Sequence, residues 1–82
     1  MVNAKPKAPI IPLAVVQSSM VNKVGYDAAT KTLAVEFRGG KTYHYDSVPP
    51  ETVAAMRNAE SIGKFIGAHI RGQFKTRLIE PQ

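Results

Sequence analysis

The stretch Thr32-Leu-Ala-Val-Glu-Phe-Arg-Gly-Gly-Lys-Thr-Tyr-His-Tyr45 decides the fold, because two alternating segments flank a glycine pair that can close a hairpin in only a few registers. Thr32 to Arg38 alternates cleanly, with Leu33, Val35 and Phe37 on one face. A two-residue loop would place Thr42, His44 and Asp46 on that face and bury polar groups against the apolar stripe. A three-residue loop, Arg38-Gly39-Gly40, with Gly40 supplying the left-handed conformation of a bulge, sets Tyr43 and Tyr45 beside Leu33 and Val35. This second register is the predicted one. It puts His44 on the opposite face with Glu36 and Arg38, as an ordinary exposed strand residue.

Upstream, Val15 to Val24 alternates imperfectly and stops at Gly25, so a first strand is expected over about residues 19 to 25. Asp27-Ala-Ala-Thr-Lys31 reads as a turn. Downstream, Pro49-Pro50 ends the sheet segment, since proline donates nothing to a ladder. Pro50 suits the first turn of a helix that carries Glu51 near its positive end and runs to about Arg57. Asn58-Ala-Glu60 is a link, and Ser61 is a fitting N-cap for a second helix to about Arg71, ended by Gly72. Ile62, Phe65, Ile66 and Ile70 recur at helical spacing, and the natural partner for that stripe is the tyrosine-bearing face of the sheet.

The expected architecture is therefore α+β: a three-stranded antiparallel meander followed by two helices packed on one face, with room for a short C-terminal edge strand in Gln73 to Ile79. Residues 1–14 carry Pro6, Pro9, Pro12, Lys5 and Lys7 and read as a flexible, partly polyproline-like arm. Residues 15–79 read as a single domain and 80–82 as a polar tail.

Eighty-two residues make one small domain, which buries only about 60 % of its unfolded surface and is not expected to enclose a deep catalytic cavity. The chain has no cysteine, hence no disulfide framework, thiolate zinc site or thiol nucleophile, and this suits a reducing cytoplasm. The early prolines interrupt the only segment resembling an export signal, and no apolar run approaches the roughly 18 residues of a membrane span.

The formal charge is +5, and four of the five excess charges fall between Arg57 and Arg77, where Arg57, Lys64, Arg71, Lys75 and Arg77 face Glu60 alone. Such a concentration attracts polyanions or acidic protein surfaces.

His44 and His69 stand in no recognisable metal-ligand spacing, and no phosphate loop, nucleophile elbow or paired carboxylate is present. A serine triad would require Ser18, Ser19, Ser47 or Ser61 to meet a histidine and an acid in a site so small a domain rarely builds. No catalysis, cofactor or metal is expected.

Tyr43 and Tyr45 have two readings: a platform on which bases stack, or core residues under a helix with hydroxyls at the rim. Gly63 and Gly67 each cost a helix about 1 kcal/mol, offset either by close packing on the sheet or by close approach to a phosphate chain gripped by Lys64, Arg71, Lys75 and Arg77. Arg38, His44 and His69 complete the set of candidate contact residues, with Lys5 and Lys7 on the arm.

The ordered landmarks Ser18-Ser19, Gly25-Tyr26-Asp27, Leu33-x-Val35-x-Phe37, Gly40, Tyr43-x-Tyr45, Val48-Pro49, Ala59-x-Ser61-x-Gly63 and His69-Ile70-Arg71 resemble the KTSC domain over about residues 16 to 79. That family is named after the C-terminal domain of some lysyl-tRNA synthetases and also occurs as small stand-alone bacterial and phage proteins. In the resemblance, Tyr43 and Tyr45 match the central pair, and Gly63, Lys64, His69, Ile70 and Arg71 the helical signature. Its occurrence beside a tRNA enzyme implies RNA binding. The expected function is a small non-catalytic module that binds RNA or another nucleic acid through the basic helix and C-terminal segment. The alternative is a protein-binding adaptor or regulator, in some cases phage-encoded, docking on an acidic surface of RNA polymerase, the ribosome or a synthetase.

Overall fold

The computed structural model describes residues 11–79. Five strands form one antiparallel sheet in the order of the chain: β1 (Ala14–Val15), β2 (Val21–Asp27), β3 (Thr32–Phe37), β4 (Thr42–Tyr45) and β5 (Thr76–Ile79). Two helices, α1 (Pro50–Arg57) and α2 (Ile62–His69), lie between β4 and β5 in sequence. The sheet thus exceeds the expected meander at both edges. β5 adds to β4 where an edge strand had room, and β1 adds to β2 across the boundary expected between arm and domain, with Ala14 on one side and Val15 on the other. Lys5 and Lys7 lie outside the described residues.

The decisive register is the three-residue one. Leu33 pairs with Tyr45 and Val35 with Tyr43, and the Phe37 amide donates to the Lys41 carbonyl across Arg38, Gly39 and Gly40. Gly40 sits at φ 95°, a backbone region that costs other residues. The imperfect alternation of the first strand has a physical cause. A bulge between Val21 and Lys23 shifts the register, so that Val21 opposite Phe37 and Val24 opposite Val35 both face the core.

Pro49 is the N-cap of α1 and Pro50 its first residue, with Glu51 in the first turn. The Ser61 hydroxyl caps α2 by accepting from the Lys64 amide at 3.2 Å. The helix closes at His69, two residues earlier than expected, because the Ile66 carbonyl accepts from both Ile70 and Arg71 and the chain then turns back through Gly72 at φ 79°.

Val53 and Met56 of α1 and Ile66 and Ile70 of the α2 region pack with Val21, Val24, Leu33, Val35, Tyr45 and Val48 into one core. The Tyr26 hydroxyl donates to the Val48 carbonyl and fixes the β4–α1 connection to β2.

The opposite face is also covered. Gly25, Ala34 and His44 stand side by side on β2, β3 and β4. A methyl group at Gly25 would lie 2.1 Å from the Pro12 carbonyl oxygen and 3.1 Å from side-chain atoms of Ile11 and Leu13. The segment before β1 therefore crosses this face, and Ile11 is buried there. His44, expected to be exposed, is only 3 % accessible, because this face is closed rather than open to solvent.

Candidate functional site

The hairpin register and the end of α2 together build a pocket of about 290 Å³, lined by Phe37, Tyr43, Tyr45, Arg71, Gly72 and Thr76. Alternation along β3 and β4 puts Phe37, Tyr43 and Tyr45 on the helix-bearing face. The closure of α2 delivers Arg71 and Gly72, and β5 pairs Thr76 with Tyr45. Among the described residues, nothing beyond its chain neighbours lies within 4 Å of where a Gly72 side chain would begin, so that position leaves the pocket's lip open.

The two tyrosines serve different purposes. Tyr45 is buried in the core and its ring forms part of the pocket wall, whereas Tyr43 is half-buried. The Tyr43 ring meets Phe37 edge to face, with centroids 5.8 Å apart at 72°, so the pair forms an aromatic corner. Burial pushes the Tyr45 hydroxyl above the usual tyrosine range, opposed in part by the Arg71 charge. It stays protonated at neutral pH. The Thr76 hydroxyl donates to the Phe74 carbonyl at 3.0 Å and retains its acceptor capacity.

The other candidates scatter. Lys64, His69 and Lys75 are exposed on or after α2, and the His69 ring leans on Phe65 with centroids 4.7 Å apart. Arg77 sits opposite His44 in the register and therefore on the other face of the sheet from the pocket, where its guanidinium donates to Asp46 at 2.7 Å. Arg38 is exposed at the hairpin and donates to the Ser18 carbonyl. The basic segment is thus divided between two surfaces.

Among the described residues, His44 has no hydrogen-bond partner for Nδ1. Burial, and then the Arg77 charge, hold its pKa below the ordinary histidine range, while Asp46 pulls the other way.

The helix glycines also part company. Gly63 packs against Met20 and Ser18, with the nearest atom 2.9 Å from where a methyl group would stand, so close packing explains it. Gly67 is exposed, with nothing among the described residues within 4 Å of where its methyl group would stand, and packing among them does not explain it.

Among the described residues, no group of three or more His, Asp or Glu side chains is placed to hold a metal ion. No helix in them is long and apolar enough to cross a membrane. Sequence reasoning does not single out Phe37, Gly72 or Thr76 as site residues. Phe37 is legible as a neighbour of Tyr43 on one face, but Thr76 depends on the β4–β5 register, which no turn or periodicity fixes.

Fold and site together define a small α+β domain with a shallow aromatic-lined pocket at the junction of a helix end and a sheet face. The chain belongs to the KTSC domain family, whose model matches residues 17–74. The crystal structure of a KTSC domain protein from Yersinia pestis superposes with a TM-score of 0.81 at 33 % identity, covering 87 % of this chain and all of that one. A protein of Tsukamurella paurometabola is 42 % identical over 60 residues, spanning 73 % of this chain and 90 % of its own length. A lysine–tRNA ligase of Nostoc punctiforme is 36 % identical over 64 residues, 78 % of this chain but only 11 % of the ligase.

Proposed function

We propose that this domain is a non-catalytic module that binds nucleic acid, with the Tyr43–Arg71 pocket as its contact site. The observation that carries the reading is the convergence of an exposed arginine with the aromatic corner of Phe37 and Tyr43 in one pocket. A guanidinium engages a phosphate bidentately, and an aromatic face accepts any base, at roughly 1–3 kcal/mol per stacked base. Lys64 and Lys75 flank Arg71 in sequence and are exposed. The occurrence of a similar segment within a lysine–tRNA ligase lends weight to RNA as the partner.

The test is a salt titration of binding to a short RNA. Removing one phosphate contact should lower the slope of log K against log salt by about 0.7 for a single strand. Arg71→Gln is expected to do so, and Arg77→Gln, ion-paired on the other face, is not. Equal slopes in all three proteins would refute the reading. A pull-down in which one defined protein survives nuclease treatment while no nucleic acid is retained would replace it with the adaptor role.

A further inference from the structure

We infer that the pocket receives a single unpaired nucleotide, its base set in the Phe37–Tyr43 corner and its phosphate on Arg71, so that the domain selects unpaired strands over duplex. The inference rests on the nucleic-acid reading above and adds the form of its ligand. Three features carry it.

The first is size and shape. At about 290 Å³ the pocket stands at the small end of the roughly 300–1,000 Å³ of ligand sites. An RNA duplex keeps its base faces stacked and shows only base edges, in a deep, narrow major groove and a wide, shallow minor groove, so no base face can enter a pocket. Here the Phe37 and Tyr43 rings are half-buried between sheet and helix end, over a Tyr45 ring that is only 3 % accessible. A base must come to them.

The second is the geometry of the corner. Two rings at 72° give a flat ligand one face to stack on and one edge to abut, which suits a planar heterocycle better than a branched side chain. Tyr43, Tyr45 and Thr76, which carry hydroxyls, are among the residues that line it.

The third is the lip. Gly72 at φ 79° carries no side chain, and beyond its chain neighbours no described residue comes within 4 Å of where one would begin, which leaves room at the lip for a backbone to pass while its base enters. A side chain at this position would narrow the passage and strain the turn.

The experiment compares three labelled RNAs with the full chain at one salt concentration: a short single strand, its blunt duplex, and that duplex with one bulged nucleotide. The single strand and the bulged duplex should bind about tenfold tighter or more than the blunt duplex. Tyr43→Leu, which keeps apolar volume, should erase that preference, and Arg71→Gln should weaken binding of both preferred RNAs. If Tyr43→Leu does not fold, nuclear Overhauser contacts between base protons and the Tyr43 ring in the unaltered protein decide the matter, and their absence overturns the inference. Equal affinity for all three RNAs, or a preference that survives in a folded Tyr43→Leu, also overturns it while leaving nucleic-acid binding in place. Binding to none of the three overturns both.

Discussion

The two faces of the sheet are closed by different means. One is covered by α1 and α2, whose buried Val53, Met56, Ile66 and Ile70 interlock with Leu33, Val35 and Tyr45. The other is covered by the segment before β1, which can lie close only because β2 offers Gly25 beneath it. Side-chain volume closes the first face, and its absence closes the second. The pocket opens on the first face alone, at the margin where the helix ends and the strands continue.

The largest effect should come from the helix-covered face. Ile66→Ala removes a fully buried side chain and should cost roughly 2–5 kcal/mol in chemical denaturation. A loss below about 1 kcal/mol would mean the helices are not the principal cover. Gly25→Ala tests the other face by adding volume where none fits. With the Pro12 carbonyl 2.1 Å from the new methyl, the segment must lift, at about 1–3 kcal/mol. Amide exchange at Val16, which donates to the Asn22 carbonyl, and at Val24 should accelerate, and unchanged exchange would show that the strap is not seated as described.

The next effect depends on pH. His44 is held below the ordinary histidine value of 6.5, so the unfolded chain takes a proton more readily than the folded one. The stability it contributes is complete above about pH 6.5 and is lost as pH falls through the lower folded-state value. His44→Leu replaces an unpaired buried nitrogen with hydrocarbon, and it should flatten this dependence with little loss of stability at neutral pH. A slope that persists would place its origin in another group.

The smallest effect is on α2. Gly67→Ala should stabilise by about 0.4–1 kcal/mol, since nothing blocks the methyl. Gly63→Ala should gain less or destabilise, because Met20 and Ser18 must give way.

The same contrast explains what could be read from sequence. Leu33, Val35, Phe37, Tyr43, Tyr45, Ile66 and Ile70 announce themselves through periods of two and 3.6, and the glycine pair fixes how the two strands meet. The covered second face has no such signal. Gly25 reads as a strand stop, although its meaning is the close approach of another backbone. His44 reads as exposed because alternation assigns a face without saying what covers it. β1 is two residues long among prolines, and its pairing with β2 is a tertiary contact that local propensity does not encode. The site is legible in part for the same reason. Tyr43, Tyr45 and Arg71 are each candidates in sequence, but their meeting depends on where α2 stops, and Arg77 joins them in sequence only to leave for the other face.

The measurement that tests the contact site most directly is an amide and side-chain chemical-shift map of the labelled protein titrated with a short single-stranded RNA. We expect the largest shifts at Phe37, Tyr43, Arg71, Gly72 and Thr76, with Gly25, Ala34 and His44 unmoved. Shifts concentrated on the Gly25–Ala34–His44 face, or none at saturating RNA, would contradict the assignment of the pocket.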